Sequence, residues 1–209
     1  MRATDIRWSA APLLACLLAA APAAAQGNAT TARADSTRYP FAAADVHFMS
    51  GMIAHHAQAI LMAGWAPSHG AGPSVRILCE RIINGQRDEI VSMQQWLRDR
   101  HQPVPEARPA GMTMMMDGVE QIMLMPGMLT EAQLAELDRA SDREFDRLFL
   151  TYMIQHHRGA VTMVEDLFGT WGAAQDEAVF KFASDVSVDQ TTEIARMEQM
   201  LAALPASSH

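Results

Sequence analysis

The amino-acid sequence predicts an all-α fold, a four-helix bundle built from two related helical hairpins. Three observations carry this expectation. Apolar residues recur with a helical period through four long segments separated by Pro- and Gly-rich breaks. β-branched residues are scattered, so no strand is expected to compete. The chain also repeats itself. An offset of 101 aligns Asp45 with Asp146, Phe48 with Phe149, Met52-Ile53 with Met153-Ile154, His55-His56 with His156-His157, Ala59 with Ala160 and Met62 with Met163. An offset of 104 aligns Gln86 with Gln190, Glu89-Ile90 with Glu193-Ile194, Met93 with Met197 and Leu97 with Leu201. Two related hairpins bury most apolar surface when each covers the face of the other.

Taken in order, Arg2 and Arg7 precede an apolar run from Ser9 to Ala21 and then Ala23-Ala24-Ala25, so residues 1–25 are expected to be a secretory signal peptide. Residues 26–40 are small, polar and aperiodic, which predicts a flexible leader. Pro40 introduces a helix that runs to about Ala66, where Pro67, Gly70, Gly72 and Pro73 impose a turn. A second helix is expected from about Ser74 to Arg100, with Ile77, Leu78, Ile82, Ile90, Met93 and Leu97 on its apolar side. Pro103 and Pro105 follow its end. The stretch from Glu106 to Gly127 is rich in Met, Gly and Pro, with room for only a short helix near Val119–Leu124. Thr130 with Gln133, and Ser141 with Glu144, have capping-box spacing and predict a short helix and then a long one to about Phe168. The last helix follows Gly172 and stops at Pro205. The bundle thus spans 41–204, with repeat one at 41–101, a connector at 102–141 and repeat two at 142–204.

Composition narrows the partners. The formal charge is −8, and beyond residue 25 acidic residues outnumber basic ones 23 to 14. Phosphate binding needs clustered Lys and Arg, so nucleic acid is not an expected partner and a metal cation is. Beyond the signal segment Cys79 is the one thiol, which excludes an internal disulfide and any Cys-rich zinc or iron-sulfur site. No later stretch is long and apolar enough for stable membrane insertion, and the signal points to a periplasmic or secreted protein.

The doubled histidines carry the chemistry. At 100° per residue Asp45, Met49, Met52 and His56 form one stripe, and Phe48, Met52, His55, Ala59 and Met62 the adjoining one. Asp146, Leu150, Met153 and His157, with Phe149, Met153, His156, Ala160 and Met163, repeat both. Imidazole nitrogen with thioether sulfur suits copper, as Cu(I) or Cu(II), because hard cations do not use methionine. The metal ligands are therefore expected among Met52, His55, His56, Met62, Met153, His156, His157 and Met163. Asp45, Glu89, Asp146 and Glu193 could orient the rings or bind directly, and Met49 could add a sulfur. Ligation needs neutral imidazole, so affinity is expected to fall below about pH 6.5. Met112, Met114, Met115, Met116, Met123, Met125 and Met128 could wrap a Cu(I) ion, or form an apolar pad over the end of the bundle. Both readings of that cluster stay open.

Asp45-x-x-Phe48-x-x-x-Met52-Ile53-x-His55-His56-x-x-Ala59-x-x-Met62, its second copy from Asp146, and Met125-Pro126-Gly127-Met128-Leu129-Thr130 between them resemble the domain-of-unknown-function 305 family. The resemblance covers roughly Phe41 to Leu204. It implies a ferritin-like four-helix bundle and, by analogy with exported copper-binding members, a role in copper tolerance through the Met and His residues named above. The second copy departs at Leu150, Thr162 and Val164, which implies weaker binding there. The leading expectation is a non-enzymatic copper buffer or carrier, with another exported copper-handling protein as its partner. A ferritin-like di-metal oxidase is the enzymatic alternative, but such sites use Glu-x-x-His and the chain contains none. A metal-free helical scaffold or protein-binding module is the third.

Overall fold

The structure, a computed structural model, describes residues 41–116 and 118–205. The expected signal peptide and leader lie outside the described residues. Helices α1 (Ala43–Gly64) and α2 (Pro73–Asp99) form one hairpin, and α4 (Asp142–Gly169) and α5 (Glu177–Ala203) form the other. Between the hairpins lie strands β1 (Met112–Met116) and β2 (Val119–Met123) and the short helix α3 (Glu131–Arg139). Each hairpin packs on itself, and α1 lies along α4 in the centre of a helical bundle. α2 and α5 approach each other much less closely.

Burial follows the repeat. Phe48, Met52, Met93 and Val179 anchor one apolar cluster, while Met62, Leu78, Phe145, Phe149 and Met153 anchor the other. Nearly every residue of α1 from Phe48 to Met62 is buried, because it is covered by α2, α4 and the connector. Arg100 pairs with Asp176, which also accepts the Trp96 indole N–H at 3.2 Å and caps α5 through the amides of Ala178 and Val179. The end of α2 is thereby fastened to the start of α5.

Two expectations about local structure need correction. The short helix placed near Val119–Leu124 is a β-strand, paired antiparallel with β1 in a register that sets Met112 opposite Met123 and Met116 opposite Val119. In the sequence Asp117-Gly118 is a pair favoured in two-residue hairpin turns, which the expectation of no strand overlooks, and Gly118, just before β2, has φ +78°. That turn signal outweighs the methionine run around it. Ser141 also makes no side-chain cap. Asp142, at φ +53°, instead gives its N–H to the His69 carbonyl at 2.7 Å, which sets the angle at which α4 begins. The Thr130 capping box forms as expected, with Gln133 N–H donating to Thr130 Oγ1 at 3.3 Å and Thr130 N–H to Gln133 Oε1 at 3.0 Å.

The connector returns over α1 and α4 as a strap, residues 125–129. Gln58, fully buried, holds it at both polar atoms. Its Nε2 donates to the Leu129 carbonyl at 3.1 Å and its Oε1 accepts the Leu129 N–H at 2.6 Å. Gln155 Nε2 donates to the Gly127 carbonyl at 3.3 Å. The crossing is backbone against backbone, because a Cβ on Gly159 would stand 2.0 Å from the Pro126 oxygen and 2.6 Å from Gly127 Cα. Gly159→Ala should therefore lift the strap and cost about 3 kcal/mol, the upper end for overpacking. Urea unfolding of the variant reads this directly, and an unchanged midpoint would mean the strap does not lie so close.

Candidate metal centre

α1 and α4 bring the two histidine pairs into one layer. All four rings are fully buried. His55 and His156 lie ring on ring, with centroids 3.7 Å apart and planes tilted by 39°, and each is about 6 Å from its sequence neighbour, at 6.3 Å for His56 and 6.2 Å for His157.

Each outer ring is held by the carboxylate that the second repeat offset matched. His56 Nε2 lies 2.7 Å from Glu89 Oε2 and His157 Nε2 lies 2.8 Å from Glu193 Oε2, with the glutamates reaching in from α2 and α5. His55 Nε2 lies 3.0 Å from the Pro126 carbonyl of the strap. A carbonyl or carboxylate only accepts, so each Nε2 carries the proton, and in the neutral ring the lone pair is on Nδ1. The Nδ1 atoms of all four histidines are buried without a partner, and His156 lacks one at Nε2 as well. Burial above all, then the neighbouring His56, pushes the His55 pKa down to about 3. Burial likewise holds His156 well below the usual imidazole value and lowers His157, against the pull of Glu193.

The methionines flank this layer. Met52 and Met153 are one turn from their own pair, and both are fully buried. Met62 and Met163 stand two turns on the other side, so sulfurs from both ends of the stripe do not reach one ion at the layer together. Because α1 and α4 run antiparallel, Met52 and Met49 share an apolar cluster with Met163, Met125 and Met128, while Met62 shares the other with Met153. The connector methionines divide. Met125 and Met128 are buried in the strap, with Met125 N–H donating to Met128 Sδ at 3.4 Å. Met115, Met116 and Met123 are exposed on the hairpin, and Met112 and Met114 are half-buried. Met123, Met125 and Met163 line a cavity of about 270 Å³ with His47 and Asp166 at one side of the bundle.

Asp45 and Asp146, expected beside the metal, bond loop amides instead. Asp45 accepts the Ala42 N–H at 2.8 Å and, from the other hairpin, the Ala174 N–H at 2.7 Å. Asp146 accepts the Gly72 N–H at 3.1 Å, again from the other hairpin. Each repeat thus clasps the turn of its partner, and neither carboxylate bonds a histidine. Cys79 is buried and its thiol is pushed up to about 12, chiefly by burial, so it stays protonated and is not a thiolate ligand. Among the described residues no three His, Cys, Asp or Glu side chains already surround a common point as metal ligands. Rings that turn about χ1 and χ2, or a methionine sulfur, would have to complete a coordination shell.

The family described as domain of unknown function, DUF305, matches residues 45–201. The chain belongs to the DUF305 family. Solved structures agree. A DUF305 protein from Streptomyces coelicolor is 26% identical with a TM-score of 0.64, covering 79% of this chain and 98% of that one. A DUF305 fragment from Deinococcus radiodurans is 30% identical with a TM-score of 0.64, covering 78% and 98%. CopM in its Cu(I)-bound form is 29% identical with a TM-score of 0.57, covering 76% and 95%, and CopM is also similar in its Cu(II)-bound, silver-bound and apo forms. No curated protein matches the chain. Among the described residues no helix is long and apolar enough to cross a membrane.

Proposed function

We propose that this DUF305 protein binds copper in the histidine layer and serves outside the cytoplasm as a copper buffer or carrier rather than as an enzyme. The observation that carries this reading is the set of four buried, unpartnered Nδ1 atoms, with His156 bonded at neither nitrogen. A buried polar atom left unpaired costs about 1–3 kcal/mol, so such a layer is a poor device for stability alone. An ion that accepts those lone pairs would offset the cost.

The donor set fits copper. His55 and His156 would supply the first nitrogens, His56 and His157 further ones, and Met52 and Met153 a soft sulfur from one turn away. Glu89 and Glu193 would orient the outer rings and raise their basicity, as carboxylates behind metal-bound histidines do. Met62, Met163 and Met49 would flank the path of the ion, and Met125 with Met128 would line its approach under the strap. Copper- and silver-bound forms of CopM support the choice of metal. Arg2, Arg7 and the Ala-x-Ala ending at Ala25 support export, and another exported copper-handling protein would receive the ion.

Calorimetric titration of the metal-free protein with Cu(I) and Cu(II) tests the reading. Saturable uptake, with a melting temperature that rises with copper concentration, is expected of an ion that binds only the folded state. No uptake and no stabilisation would favour the scaffold.

A further inference from the structure

On the face of the bundle opposite the strap, α2 and α5 leave a groove. Glu89, Asp189, Glu193, Gln86 and Gln190 line a cavity of about 240 Å³ there. Gln86 is 4% exposed, and neither its amide nitrogen nor its oxygen has a partner. Gln190 is also 4% exposed, and its oxygen is unpartnered. Two buried carboxamides at repeat-related positions thus line an acidic groove, and three of their polar atoms are unpartnered. Glu89 and Glu193 each give only Oε2 to a histidine. Asp189 has no counterpart in the first repeat, where the offset of 104 falls on Gly85. Burial above all, then the charges of Glu89, Asp185 and Glu193, pushes its carboxyl up. Asp88 and Asp185 line the adjoining hollow. Arg81 lines the groove too, but forms no ion pair with these carboxylates.

Carboxylates and carboxamide oxygens without sulfur or imidazole nitrogen are the ligand set of hard divalent cations, which keep part of their water shell. A volume of about 240 Å³ accommodates several waters at about 30 Å³ each beside an ion. Since no three acidic groups already converge on one point among the described residues, retained waters would bridge the gaps.

We propose that this groove is a second cation site beside the histidine layer, sharing its two outer carboxylates, where Asp189, the free oxygens of Glu89 and Glu193 and the Gln86 and Gln190 oxygens hold a partly hydrated divalent cation of the Mn²⁺ class. The site discriminates by hardness. The soft ion goes to nitrogen and sulfur inside, the hard ion to oxygen at the surface. Asp189 is exposed, so its replacement leaves the core intact.

Mn²⁺ alone is the probe, added to the metal-free full chain and followed by loss of the free-ion electron paramagnetic resonance signal. One bound Mn²⁺ is expected, weakened about tenfold or more by Asp189→Asn and by Gln86→Leu, since loss of a ligand charge or oxygen tunes such sites strongly. His55→Leu with His156→Leu should leave it unchanged. Absence of Mn²⁺ binding, or equal affinity in wild type, Asp189→Asn and Gln86→Leu, overturns the proposal. Neither result depends on whether copper binds the histidine layer.

Discussion

Between pH 6.5 and 4.5 the metal-free protein should lose stability steeply and unfold in mild acid. Burial lowers the His55 pKa to about 3, holds His156 well below its ordinary value and lowers His157. An unfolded histidine takes up a proton near 6.5. Below that value the unfolded state therefore binds more protons than the folded one, so stability is complete above about pH 6.5 and falls as pH falls toward the folded-state pKa values. The slope approaches about 1.4 kcal/mol per pH unit for each such ring. For His55 and His156 together, two units of acidification approach the lower end of the stability of an ordinary domain, about 5–15 kcal/mol. Urea midpoints at pH 7.5, 6.5, 5.5 and 4.5 check this, and a flat profile to pH 4.5 would mean that the rings are hydrated. The same burial corrects the expectation that copper affinity falls at pH 6.5. Burial keeps His55 and His156 neutral in the folded protein through mild acid, so acid acts first by unfolding it.

His55→Leu combined with His156→Leu should move copper binding and stability in opposite directions. Leucine fills a similar volume and removes three unpartnered ring nitrogens, at the loss of one bond to the Pro126 carbonyl. Each removed orphan is worth about 1–3 kcal/mol, so the metal-free variant should gain about 2 kcal/mol net. Copper affinity should fall at least about a hundredfold, because even outer partners of a metal ligand are worth ten- to a hundredfold. Paired urea and copper titrations measure both. A variant that is less stable and binds copper as before would make the histidines structural ties.

Much of the site was legible in the repeat. The offset of 101 paired the histidines, and the offset of 104 paired Glu89 with Glu193, the carboxylates that hold the two outer rings. Asp45 and Asp146 share the first offset but bond amides rather than histidines, because their amide partners lie 129 and 74 residues away in the other hairpin. No stripe drawn on one helix reveals such a partner. The exchange of Met52 with Met163 and of Met62 with Met153 likewise depends on how α1 runs against α4. Gly159 and Gly127 read as ordinary helix and turn glycines, yet they permit the crossing that closes the strap over His55. The β-hairpin was readable at Asp117-Gly118, but the methionines around it lack the alternation of polar and apolar residues that marks a strand. Gln86 and Gln190 pass for surface residues of α2 and α5 until their burial is seen.

X-ray absorption at the copper edge of the loaded protein tests the histidine layer most directly. The account predicts imidazole nitrogen together with thioether sulfur around the metal, and loss of that spectrum in the His55→Leu, His156→Leu variant. A shell of oxygen alone, or the same spectrum in the variant, would contradict it.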